Sequence, residues 1–220
     1  MSDLKFVRSF ETCQEKFIEF YNSQEGEFKG KKMASLPDIL KTYSKPKIQT
    51  LNDIRNNMGE KGTREEYCLV IITNTHIKWG QSKYNKNNFN GLFTNHFKSE
   101  ITKPKKKYLK DIPANHTAKA KSINELIKTK EGCLYLSALT DVAEPDKLPG
   151  IIQNLCGIEL KDIGFFIPYY YKKIELPFES AVALVYFHKN PSLTIMCDFE
   201  TNNTTGDIGF SFGIPIYNIK

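Results

Sequence analysis

Residues 181–199, AVALVYFHKNPSLTIMCDF, decide the fold: two apolar, β-branched runs flank a Lys189-Asn190-Pro191 turn, the pattern of a β-hairpin. In the second arm Leu193, Ile195, Cys197 and Phe199 share one face, and Ser192, Thr194 and Asp198 share the other. A cleaner alternation follows at the C-terminal end. Ile208, Phe210, Phe212, Ile214 and Ile216 line one face, while Gly209, Ser211, Gly213 and Pro215 line the opposite one. That small-residue face leaves room for a second element, a ligand or a protein partner to approach the backbone.

Working towards the N-terminus, the run Glu159 to Tyr171 opens this sheet, and residues 132–139, GCLYLSAL, read as a further strand. The run Tyr67 to Thr73, YCLVIIT, is the strongest strand of the N-terminal half. It does not alternate, which points to burial on both faces, and His76 to Trp79 continue it or pair with it. Helices come first in the chain. Asp3 to Asn22 carries Phe6, Phe10, Cys13, Phe17 and Phe20 at three- and four-residue spacings. Ser35 followed by Leu36, Pro37 and Asp38 marks a helix start, with Ile39, Leu40 and Tyr43 as its apolar face. Leu51 to Met58 adds a short turn of helix. Phe89, Leu92, Phe93, His96 and Phe97 hold helical spacing, and Ser122 with Glu125 forms a capping box for a helix through Lys128. Asp141 to Gly150, with two prolines, reads as a loop, and Ile151 to Cys156 as a short helix or turn. The expected class is therefore α+β: one domain over residues 1–220, with N-terminal helices packed on a mainly antiparallel sheet formed largely by the C-terminal sixty residues.

Composition excludes several classes of function. The first residues hold no apolar run of signal-peptide length, and nowhere do eighteen apolar residues follow one another, so a soluble, cytoplasmic chain without a membrane partner is expected. The five cysteines are scattered and form no Cys-x-x-Cys pair, which fits reduced core thiols and not a structural zinc site. No Gly-rich phosphate loop follows any strand.

Charge carries the main functional signal. The net charge is +6, yet residues 78–130 alone contain thirteen lysines against three acids. Lys78, Lys83, Lys86, Lys98, Lys103, Lys105, Lys106, Lys107 and Lys110 are interleaved with Trp79, Tyr84, Phe89, Phe93, Phe97 and Tyr108. Cations of this density replace the counterions of phosphates, and aromatic faces stack on bases. Only three arginines, Arg8, Arg55 and Arg64, are present, so geometry-specific readout is not expected. Nucleic acid or another polyanion, bound with low sequence specificity through the lysines and Tyr84 and without a cofactor, is the leading expectation. The competing expectation is a solvated Lys-rich segment whose aromatics are core residues.

Three other readings stand beside it. Pro145-Asp146, then Glu159-Leu-Lys161 after twelve intervening residues, resembles the Pro-Asp and Glu-x-Lys arrangement of a large superfamily of metal-dependent nucleases. That resemblance implies Asp146 and Glu159 as magnesium ligands on adjacent strands and Lys161 as the residue that orients the attacking water. The stretch from Cys68 through His76 to Ser82 resembles, loosely, the strand-plus-histidine motif of condensation-type acyltransferases, which implies His76 as general base. Gly80 stands where that family carries an aspartate. A non-enzymatic interaction module, docking a protein on the C-terminal sheet, is the last reading, and the lack of sharper motifs favours a binding protein.

Overall fold

Residues 69–81 form one long strand, with β8, β10 and β4 paired along its edges. The computed structural model describes residues 5–9, 14–26, 29–46, 49–57, 69–81, 88–95, 105–113, 121–166, 178–187, 190–199 and 211–218. In chain order the first half gives β1 (Lys5–Ser9), α1 (Gln14–Ser23), β2 (Lys31–Met33), α2 (Leu36–Thr42), α3 (Leu51–Asn57), β3 (Leu69–Gln81), β4 (Asn88–Asn95) and β5 (Lys105–Pro113). The second half gives β6 (Lys121–Ser122), α4 (Ile123–Leu126), α5 (Lys130–Thr140), α6 (Leu148–Cys156), β7 (Asp162–Phe166), β8 (Phe178–Phe187), β9 (Ser192–Phe199) and β10 (Ser211–Asn218). The class is α+β, and the sheet is mixed but mainly antiparallel: among the described residues only β3–β10 and β7–β9 pair in parallel.

The missing alternation in β3 has the cause expected of it. Leu69, Ile71 and Ile77 enter one core cluster and Val70 and Ile72 a second, on the opposite face. The first cluster holds Leu184, Tyr186, Leu193, Ile195 and Cys197 of the β8–β9 hairpin under Leu36, Ile39, Leu40, Leu136, Leu139, Ile152 and Leu155 of the helices. On the other face Phe17, Ile18 and Tyr21 of α1, with Met33, cover Val70, Ile72, Ala183 and Val185. The inward face of β9 is thus covered by α2, α5 and α6, not by the N-terminal phenylalanine stripe. The β8–β9 hairpin forms where the sequence places it, with Leu193, Ile195 and Cys197 fully buried. Although β10 is the last strand, it crosses to the far side of β3, pairing Ser211 with Leu69 and Gly213 with Ile71, and carries β1 and β2 on its other side. Ile208, Gly209 and Phe210 lie outside the described residues.

Side chains close the starts of three helices. Ser35 caps α2 in a reciprocal box with Asp38, and α3 starts from a second such pair, Thr50 with Asp53, at 2.7–3.2 Å. Ser122 caps α4 through Asn124 N at 3.2 Å, without the box to Glu125. Four expectations need correction. The helix over residues 3–22 is β1 followed by α1: Lys5 to Ser9 pair with Ile216 to Phe212, and this distant ladder overrides the local spacing. The stripe of α1 is Gln14, Phe17, Ile18 and Tyr21, and Phe20 is 40% exposed. Residues 132–139 are helical in α5, capped by Thr129 Oγ1 on Gly132 N at 3.1 Å; the run contains no β-branched residue, unlike β3. The helical spacing at Phe89 to Phe93 belongs to β4, which is paired with β3 and β5. The loop over residues 141–150 is shorter than expected, since Pro145–Lys147 makes a 3-10 turn and α6 already begins at Leu148. No described helix is long and apolar enough to cross a membrane.

Two groups of core residues make this packing measurable. Gly157 ends α6 at φ 76°, and a Cβ there would collide with the Thr50 hydroxyl that starts α3. Gly157→Ala is expected to lower the unfolding free energy by about 1–3 kcal/mol in urea denaturation. Burial pushes the Tyr186 phenol up to about 12 and raises Tyr43 and the Cys156 thiol further above their ordinary 10.0 and 9.0. A folded-state pKa above the unfolded one stabilises the protein fully below the unfolded value and loses that contribution as pH rises through the folded one. Urea midpoints are therefore expected to hold to about pH 9 and then fall steadily towards pH 12; a midpoint unchanged to pH 11 would contradict this packing.

Candidate nucleic-acid interface

Within the basic segment, residues 78–81, 88–95 and 105–113 belong to a β-ribbon. β4 pairs with the second half of β3 from Thr75 to Gln81, and β5, residues KKKYLKDIP, pairs with β4. The register continues the row of Ile77 through Phe93 to Lys107, the row of His76 through Thr94 to Lys106, and the row of Lys78 through Leu92 to Tyr108. Lys105 stands in the row of Thr75 and Asn95, and Lys110 falls within the register shift between Phe89 and Gly91. Lys83, Tyr84, Lys86, Lys98 and Lys103 lie outside the described residues. Among the described residues β5 pairs only with β4, so it is the outer strand of the ribbon.

Where β3 leaves the core, it carries a cluster of charge. His76 is nearly buried, and its Nε2 lies 3.2 Å from Glu179 Oε2 on β8. Glu179 Oε1 lies 3.5 Å from Lys78 Nζ. Because a carboxylate only accepts, Nε2 is the donor in the first contact. The β3–β8 ladder explains the grouping: Glu179 is directly opposite Lys78, and His76 lies two residues before Lys78 on the same face. Nothing local in the sequence couples residue 76 to residue 179. A Glu at one end of a strand and a His-x-Lys pair in another is the only trace, and it is visible only once the register is known.

A polar seam fixes where this cluster sits. Between Ile72, paired with Ala183, and His76, paired with Ala181, β3 runs three residues against the single Val182. Thr73 Oγ1 donates to Val182 O at 2.8 Å, and Gln14 Nε2 donates to Thr73 O at 2.6 Å and to Thr75 O at 3.1 Å. Asn74 N donates to Ala34 O at 2.8 Å, and Leu36 N to Thr75 Oγ1 at 3.0 Å. Gln14 Oε1 and Asn74 Oδ1 are buried without a hydrogen-bond partner among the described residues.

The remaining candidates lie on other elements. Asp146 is exposed in the 3-10 turn before α6, and Glu159 and Lys161 are exposed between α6 and β7. Neither carboxylate is on a strand, whereas the nuclease arrangement needs both on adjacent strands. Among the described residues no group of three or more His, Cys, Asp or Glu side chains could hold a metal ion. His76 lies inside β3 and not after it, with its ring committed to Glu179, unlike the histidine of the acyltransferase motif. A cleft of about 410 Å³ opens between α2 and the end of α5, lined by Ser35, Asp38, Lys41, Thr140 and Asp141 among others. It contains none of the candidate catalytic or binding residues named from the sequence. Comparison with protein-family models, with curated proteins and with solved structures finds no match to this chain.

The seam predicts one stability effect. Gln14→Leu keeps the volume but removes the buried amide that donates to the Thr73 and Thr75 carbonyls, so it is expected to cost about 2 kcal/mol in urea denaturation. A loss below about 0.5 kcal/mol would mean that Gln14 does not anchor the irregularity in β3.

Proposed function

We propose that this chain binds nucleic acid or another polyanion, with low sequence specificity, through the β3–β4–β5 ribbon. The observation that carries the reading is β5 itself, with four lysines and one acid in nine residues, two strands from the exposed Lys78. The register places Lys105, Lys106 and Lys107 at successive positions of β5, and cations at this density replace the counterions of a phosphate backbone. Tyr108 and Trp79 occupy positions of the same ribbon and supply aromatic residues of the kind that stack on bases. The scarcity of arginine supports low specificity, since an ammonium group carries little directional information.

One observation favours a second role for the same lysines. An outer strand exposes unpaired backbone groups, and lysines on such a strand discourage edge-to-edge association. The two roles give different results on substitution.

Retention of a single-stranded oligonucleotide tests the reading. If four lysines replace counterions, the log–log salt slope is about −2.8, and binding weakens about 50-fold between 50 and 200 mM salt. Lys105→Glu, Lys106→Glu and Lys107→Glu together are expected to flatten that slope by about 2. No retention by the wild-type chain at 50 mM salt overturns the reading. Unchanged retention by the triple variant, with new self-association, assigns the lysines to edge protection instead.

A further inference from the structure

We infer that the cleft between α2 and the end of α5 binds a small zwitterion, an α-amino acid with an apolar side chain. The cleft shares no residue with the β3–β4–β5 ribbon, so the inference stands or falls independently of the polyanion reading.

The cleft lies where α2, the C-terminal end of α5 and α6 meet. Its volume of about 410 Å³ is at the small end of ligand sites, which run from about 300 to 1,000 Å³. Leu40 of α2, Val142 after α5 and Ile151 of α6 give it an apolar part. Leu40 belongs to the first core cluster, and Val142 and Ile151 pack against that cluster, so a ligand side chain would bury its surface on a floor already held in place. Asp38, Lys41 and Asp141 line the same cleft and give it charge of both signs.

Asp141 breaks two local rules. It caps the C-terminus of α5 at φ 59°, a conformation that favours Gly or Asn. It also sets a carboxylate at the negative end of a helix, where cations are favoured. A bound ammonium accounts for both, because it pairs with the carboxylate and with the last carbonyls of the helix, which have no intrahelical donor.

Asp38 and Lys41 stand one turn apart on α2 and therefore share a face. Among the described residues Lys41 Nζ nevertheless makes an ion pair with neither Asp38 nor Asp141. The Asp38 carboxylate is held in position by Ser35, whose N and Oγ donate to its Oδ2 at 3.0 and 2.6 Å. An ionised carboxylate accepts at about four positions, so neither acid has to release a bond to take an ammonium. A ligand with an ammonium and a carboxylate on one carbon pairs with both signs at once. A ligand with a single charge meets either Lys41 or the two carboxylates as a like charge. A bare metal ion does not suit the cleft, since no group of three His, Cys, Asp or Glu among the described residues could hold one.

The test follows the methyl resonances of Leu40, Val142 and Ile151 by NMR while L-leucine is added. Saturable shifts centred on these methyls are expected. N-acetyl-leucine and leucinamide, each lacking one of the two charges, are expected to bind at least about fivefold more weakly, the worth of one unit-charge pair about 4 Å apart in water. Asp141→Asn and Lys41→Gln are each expected to weaken leucine binding by about the same factor. Asparagine tolerates a positive φ and removes the unfavourable charge, so Asp141→Asn is expected to hold or raise the urea midpoint while it loses ligand, which a purely structural role would not produce. No methyl shift up to the solubility limit of leucine, binding unchanged in both variants, or either single-charge analogue binding as tightly as leucine overturns the inference.

Discussion

A strand buried on both faces has to satisfy its backbone entirely within the protein, and β3 meets that constraint at its weakest place through side chains. Over Thr73 to Thr75 it runs three residues against one on β8, so the regular ladder cannot serve all of them. Gln14, Ala34 and the Thr73 hydroxyl close the gap instead. These contacts tie the start of α1, the β2–α2 connection and the C-terminal hairpin to one point on one strand. Leaving any of those groups unpaired would cost more than an ordinary hydrogen bond contributes, which is why distant segments converge there.

The same point divides the strand into a buried half and a half that leaves the core. Before it, β3 is core on both faces, with Val70 and Ile72 under α1 and Leu69 and Ile71 under the helical layer. After it, burial falls within three residues, from His76 through Ile77 to the exposed Lys78. The β3–β10 ladder ends at Ile71 and the β3–β4 ladder begins at Thr75, so the open edge of β3 passes from the C-terminal strand to the basic ribbon across the seam. The charged cluster of His76, Lys78 and Glu179 is therefore positioned by packing that is complete a few residues earlier.

Much of this was legible in the sequence, and what was not shares a cause. The hairpin at residues 181–199, the Ser35 helix start and the two-sided burial of residues 69–72 are local signals, closed by neighbours or by composition. The strand over Lys5 to Ser9 is hidden because its partner is β10, more than 200 residues away, and a 3.6-residue spacing of phenylalanines cannot report a distant ladder. Residues 132–139 are ambiguous for a different reason: an apolar run without Val, Ile or Thr is as good a helix as a strand, and the Thr129 cap decides. For the candidate site, the lysine excess was plain from composition, but its strand conformation was hidden under an apparent helical spacing at Phe89 and Phe93. Glu179 was invisible as a partner of His76, because register and not sequence proximity brings them together.

Hydrogen exchange across the whole chain, with and without a single-stranded oligonucleotide at low salt, tests the central claim most directly. The account predicts added protection concentrated in β5 and in the Thr75–Gln81 half of β3, with the β8–β9 core and the α2–α5 cleft unchanged. Protection centred on the cleft or on β10, with none in β5, would contradict it.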